Sequence, residues 1–219
     1  VMVGAVALQQ PAVDMGVLAQ MAMLTCDYLV MVVAANSPIK TATDLSAAMK
    51  ASLKAVPVAG GSAGACTSLW IAFHDDLADP NSADPIARES TRVTCAAVSG
   101  AQTTLDPKQM REWTPNSKYG AHAFGIVWDA KQKLSSFDMF YAERERILPW
   151  IKQYSPYELV SRDDPPVGLF YSTPPNLGKD EKDPTHTANF GVKLKEHCDA
   201  NGVRCELVYP GAPNAVHAT

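Results

Sequence analysis

Ala55-Val56-Pro57-Val58-Ala59-Gly60-Gly61-Ser62-Ala63-Gly64-Ala65-Cys66 is a short apolar run, a glycine-flanked serine and the start of a helical stretch. Gly60, Ser62 and Gly64 fit the pattern Gly-x-Ser-x-Gly, in which a serine sits on a sharp strand-to-helix turn with its hydroxyl pushed out of the backbone. Small neighbours suit such a turn, because it brings strand and helix so close that a side chain at either glycine collides with one of them. The context agrees. The run before Ser62 is strand-like, and Ala65 to Ala78 reads as a helix with Leu69, Ile71, Ala72 and Phe73 largely apolar. The stretch is therefore read as a nucleophile elbow centred on Ser62, with a serine that merely caps a helix as the plain alternative.

Upstream, Val1 to Leu8 suits a buried strand that Gln9-Gln10-Pro11 stops. Val13, Val17, Leu18, Met21 and Leu24 recur at helical spacing, and Met2, Met15, Met21 and Met23 read as core filler. Tyr28 to Ala35 is again strand-like and ends at Asn36-Ser37-Pro38. Thr41-x-x-Asp44 resembles a capping pattern, after which Leu45, Ala48, Met49 and Leu53 line one face of a helix to Lys54. Strand and helix thus alternate up to the elbow, the signature of a parallel sheet covered on both faces.

Downstream, 79–85 is a turn-rich loop and Val93 to Val98 the next strand. Leu105 to Phe137 is less regular, with Trp113, Tyr119, His122, Phe124 and Trp128 spread among glycines and polar residues, as in a small cap or insertion. Phe140 to Tyr154 is expected to be helical, Val167 to Tyr171 a strand, Thr187 to Asn201 a helix ended by Gly202, and Cys205 to Tyr209 a final strand. Nothing divides 1–219 into separate domains, so the expected fold is one α/β domain with a mostly parallel sheet of about six strands and helices on both faces.

Composition narrows the function. At 219 residues, 47% hydrophobic and 19% charged, the chain has enough material for a sizeable core. A net charge of -4 argues against nucleic acid as the main partner, since phosphate-binding surfaces carry a basic excess. No apolar run approaches the roughly 20 residues of a membrane span. Val1 is not followed by a charged n-region or a cleavage-like site, so a targeting signal is expected to be absent or already removed. Cys26, Cys66, Cys95, Cys198 and Cys205 form no C-x-x-C pair, which favours buried free thiols over a zinc cage, with a Cys198–Cys205 bridge as the alternative. His74, His122 and His197 lack metal-ligand spacing, and Glu143-Arg144-Glu145-Arg146 reads as a solvated helix face.

A serine hydroxyl is a poor nucleophile at neutral pH, so an elbow serine implies a general base and a third group that fixes the base's tautomer. In the α/β-hydrolase arrangement these follow in the order Ser, Asp or Glu, His, each in a loop after a strand. Asp183 lies in the loop after Val167 to Tyr171, and His217 follows the last strand and Pro210-Gly211-Ala212-Pro213. Rivals remain: Asp163 and Asp164 for the acid, although they precede a strand rather than follow it, and His186 for the base. Asp183 also reads as a turn residue, and His217 as part of a solvated tail.

These segments carry a family resemblance. From about Ala59 onward the chain resembles bacterial α/β-hydrolases of the esterase and lipase group, especially small acetyl- or feruloyl-esterase-like members. Gly60 to Ala65, Asp164-Pro165-Pro166-Val167, Asp183-Pro184-Thr185 and Tyr209-Pro210-Gly211-Ala212 leading to His217 carry it. The resemblance implies hydrolysis of a small-molecule carboxylic ester through an acyl-enzyme, with Ser62 as nucleophile, Asp183 as orienting acid, His217 as base and no metal or organic cofactor.

The first third departs from that family, because its usual His-Gly-Gly oxyanion stretch is missing. Leu24-Thr25-Cys26-Asp27-Tyr28 and 37–45 instead resemble solute-binding proteins of tripartite tricarboxylate transporters, as in a fusion joined near Gly60 to Gly64. Two alternative functions follow: a solute-binding module for a small carboxylate, and a hydrolase fold that serves only as a scaffold. For the enzyme reading, the backbone N–H of Ala63 is the expected first oxyanion donor, and Gln9 or Gln10, by position, the second. The small 105–137 insertion offers little apolar wall, so short acyl groups are expected.

Overall fold

The computed structural model describes residues 57–85, 87–126 and 134–213. Four strands run through them, β1 (Pro57–Gly61), β2 (Cys95–Ser99), β3 (Val167–Phe170) and β4 (Cys205–Val208), all parallel and in the order β1-β2-β3-β4. They are the four strands expected from Ala55 onward, each a short and largely apolar run. The two further expected strands, 1–8 and 28–35, lie outside the described residues, as do Gln9, Gln10, His217 and the segments that resemble solute-binding proteins.

Helix α1 (Ala63–Phe73) leaves β1 directly through Ser62. It stops five residues before the expected Ala78. Asp75 and Asp76 are disfavoured at the negative end of a helix dipole, and Asp76 instead gathers the Ser90 hydroxyl and the Thr91 and Ala78 amides. The Ser90 hydroxyl is the chief reason its carboxyl is pushed down to about 2. Within the expected irregular stretch, Pro107–Trp113 forms α2, with Pro107 in its first turn and the Asp106 carboxylate accepting the Lys108 N–H at its N-cap. Met110 and Trp113 of α2 are buried in the main core.

The helix expected over 140–154 is two helices, α3 (Ser136–Ala142) and α4 (Arg144–Tyr154), which meet at Glu143. Arg144 is not part of a solvated face: its guanidinium grips the buried Asp106 carboxylate through two hydrogen bonds of 2.8 and 2.7 Å. A one-turn helix α5 (Pro156–Leu159) follows, and α6 (Asn189–Asn201) ends, as expected, at Gly202 in the left-handed conformation.

Alternation along the strands defines two faces. Ala96, Val98, Val167, Leu169 and Cys205 are buried against Leu69, Ala72 and Phe73 of α1 and Leu194 and Cys198 of α6. Ala59, Ala97, Ser99, Phe170 and Glu206 point the other way and are exposed. Helices on both faces were expected; α1 and α6 cover one, and the two further expected helices, over 13–24 and 41–54, fall outside the described residues.

On the covered face β1 and α1 almost touch. A Cβ at Gly60 would lie 2.3 Å from the backbone oxygen of Gly64, and a backbone atom cannot swing away as a side-chain tip can. Gly60→Ala is therefore expected to destabilise the protein by about 3 kcal/mol or more, at the upper end of over-packing penalties. Urea unfolding checks this, and an unchanged midpoint contradicts the close approach.

Candidate active site

Ser62 has φ 50° and ψ -118°, and among the described residues it is the only non-glycine with a positive φ. A side chain in that region costs on the order of 1–3 kcal/mol, so the surroundings must impose it. They do so from both sides. The Ser62 N–H donates to the Ser99 carbonyl at 3.0 Å, and the Ser62 carbonyl accepts the Cys66 N–H at 3.1 Å. The capping alternative fails at the hydroxyl, which makes no bond to the first turn of α1. Instead, Ser62 Oγ lies 2.8 Å from Nε2 of His186.

His186 comes from the loop between β3 and α6. Three residues earlier, Asp183 begins a turn in which its Oδ1 accepts the N–H groups of Thr185 (3.1 Å) and His186 (3.3 Å). That turn folds the ring back onto the same carboxylate, and Nδ1 of His186 lies 2.8 Å from Asp183 Oδ2. An ionised carboxylate only accepts, so Nδ1 carries the proton and Nε2 is left to accept from the serine hydroxyl. Both contacts fall within the range a nucleophile, base and orienter require.

Partial burial works against the Asp183 charge, but the hydrogen bonds from His186 and from the Thr185 and His186 amides outweigh it and hold the carboxyl below its ordinary value. A group depressed on folding stabilises the fold above its unfolded pKa of about 3.9 and ceases to do so as pH falls through its folded value. Asp183→Asn is thus expected to flatten the loss of stability below about pH 4. Denaturation midpoints that fall in parallel for the two proteins contradict this.

The site occupies the C-terminal edge of the sheet, where open α/β sheets place their ligands. Ser62 follows β1, Gly100 follows β2 and the 183–186 loop follows β3. Asp163 and Asp164 sit at the opposite edge, before β3, where both pair with Arg92. Ala63 is the first residue of α1, so its N–H has no acceptor within the helix and lies next to Ser62. Cys66, one turn further on, is no rival nucleophile, since burial pushes its thiol up to about 12. His74, His122 and His197 pack against Trp70, Tyr119 and Tyr157 respectively, and no metal-binding cluster occurs among the described residues.

Of the residues singled out in the sequence, the structure brings Ser62 and Asp183 together through His186. His217, Gln9 and Gln10 lie outside the described residues. The signal for His186 was its spacing: an aspartate followed by Pro-Thr-His lets a single turn place a carboxylate against the ring three residues on.

Strand, strained serine and helix define an α/β protein of hydrolase-like architecture. No protein-family model and no curated protein matches the chain. Several solved structures do. An acetyl ester-xyloside bifunctional hydrolase from Caldicellulosiruptor lactoaceticus is 17% identical, with a TM-score of 0.47 over 70% of this chain and 44% of that one. A truncated carbohydrate esterase from gut microbiota is 15% identical, with a TM-score of 0.48 over 76% and 57%. Native esterase 2 from Thermogutta terrifontis is 24% identical, with a TM-score of 0.42 over 70% and 42%. This chain spans about half the length of these proteins or less.

Proposed function

We propose that the protein is a serine hydrolase of carboxylic esters with short acyl groups, in which Ser62 is the nucleophile, His186 the general base and Asp183 the group that orients it. The observation that carries this reading is the unbroken series Ser62 Oγ, His186 Nε2, His186 Nδ1, Asp183 Oδ2, with 2.8 Å at each hydrogen bond. The strained backbone of Ser62 supports it, because such strain clusters where a side chain is held for a function.

In the reaction, Ser62 Oγ attacks the ester carbonyl as its proton passes to Nε2. The imidazolium, stabilised by Asp183, returns that proton to the departing alcohol and leaves an acyl group on Ser62. Water, deprotonated by the same nitrogen, then attacks the acyl carbon, and the acid departs as the serine regains its proton. The Ala63 N–H serves as one donor to the oxyanion. Gln9 or Gln10 is proposed as the second, since one donor is worth about 2.7–4 kcal/mol and a single-donor hole would be slow.

A series of p-nitrophenyl esters tests the reading. Acetate or butyrate is expected to give an initial burst of p-nitrophenol equal to the enzyme present, with rates that fall toward decanoate. Rates that climb steadily to decanoate would contradict the short-acyl assignment, and no turnover of any ester would remove the function.

A further inference from the structure

Gln102 is completely buried, although glutamine is among the residue types that are mostly exposed. It lies just past β2 in a run, 101–106, that has no regular structure and is buried throughout. Its amide nitrogen donates to the carbonyl oxygens of Gly100 at 3.1 Å and Thr185 at 2.8 Å. Both partners only accept, so the orientation of the amide is settled: turned over, its oxygen would face two carbonyls. Its own oxygen, Oε1, is buried with no hydrogen-bond partner among the described residues. A buried acceptor without a donor is unfavourable, and an apolar side chain of similar length would fill the space without one. What the glutamine supplies in return is the bridge between the two carbonyls.

That bridge joins the two halves of the site. Ser62 is registered on the end of β2 through its N–H to the Ser99 carbonyl, and Gly100 is the next residue. Thr185 immediately precedes His186. Gly100 also forms the floor beneath the ring, since a Cβ there would lie 3.4 Å from His186 Cδ2. On its outer side the loop is open, with the His186 and Asp183 side chains 37% and 61% exposed.

We infer that Gln102 is a positioning residue for His186: by tying Thr185 to Gly100 it sets the distance between the imidazole and Ser62. The inference rests on the proposed roles of Ser62 and His186. Thr103, the next residue, holds the first turn of α6, just past that loop, through its hydroxyl to the Phe190 carbonyl at 2.9 Å, and serves as the control.

The test compares the wild type, Gln102→Met and Thr103→Val by kcat and KM on p-nitrophenyl acetate and by the rate at which a p-nitrophenyl phosphonate labels Ser62. A misplacement of about 1 Å costs on the order of 10²-fold, so Gln102→Met is expected to lose that much in kcat and in labelling rate with KM nearly unchanged. Thr103→Val is expected to lose stability but to keep its kcat. Should Gln102→Met fail to fold, Gln102→Asn keeps a polar amide that is one methylene too short to span both carbonyls, and the same loss is expected. A folded variant that keeps wild-type kcat and labelling rate overturns the positioning role, as does an equal loss of kcat in Thr103→Val. A wild type that neither labels nor turns over fails differently, because it removes the triad and this inference with it.

Discussion

Ser62→Ala is expected to lose ester hydrolysis on the order of 10⁴-fold or more, since the nucleophile and its base act as one unit and loss of the former disables both. The fold should be unaffected, because Ala is strained at φ 50° much as Ser is and the hydroxyl makes no bond to the first turn of α1. Ser62→Gly separates strain from chemistry. Glycine adopts a positive φ without penalty, so this variant should be as inactive as the alanine form yet more stable than wild type by ~1 kcal/mol, a part of the strain that residue 62 carries. Paired urea unfolding and turnover measurements check both halves. A glycine variant less stable than wild type would mean that the turn is not strained.

The second large effect is at the base. His186→Ala is expected to lower kcat/KM on the order of 10³-fold or more, and Asp183→Asn to lower it substantially as well, by leaving the ring free to adopt the wrong tautomer. His217→Ala is the decisive partner in this comparison. In the proposed assignment the serine proton passes to His186, 2.8 Å from the hydroxyl, so removal of His217 should leave turnover within about twofold of wild type. The reverse pattern, His217→Ala inactive and His186→Ala silent, would return the base to the position after the last strand.

That choice shows where the sequence was informative. β1 to β4 were legible because each is a short, largely apolar run that ends near a Ser, Gly or Pro, and the elbow because Gly60 states a steric requirement directly; the collision expected at either glycine holds only there, since a Cβ at Gly64 meets nothing within 4 Å. Asp183 was legible by chain order. Helix α2 was not, because its apolar residues Met110 and Trp113 sit three apart in only seven residues, too few for a period to emerge; Asp106-Pro107 marked its start. The break at Glu143 leaves no local trace in the sequence, nor does the contact beside it, Arg144 with Asp106, whose partners lie 38 residues apart. His186 stood only as a rival base in the sequence, because from the loop before the last helix it has to reach back to the serine, whereas His217 follows the last strand. The Asp183 turn and the close packing over Gly100, which give the ring that reach, are three-dimensional facts that the sequence does not display.

The central claim is that Ser62 is an activated nucleophile, and stoichiometric labelling with a p-nitrophenyl phosphonate tests it most directly. The expected result is one equivalent of p-nitrophenol released per chain, with the phosphonyl group on Ser62 by peptide mass spectrometry and labelling slowed on the order of 10³-fold or more in His186→Ala. No adduct, or an adduct on another residue with Ser62 unmodified, would contradict it.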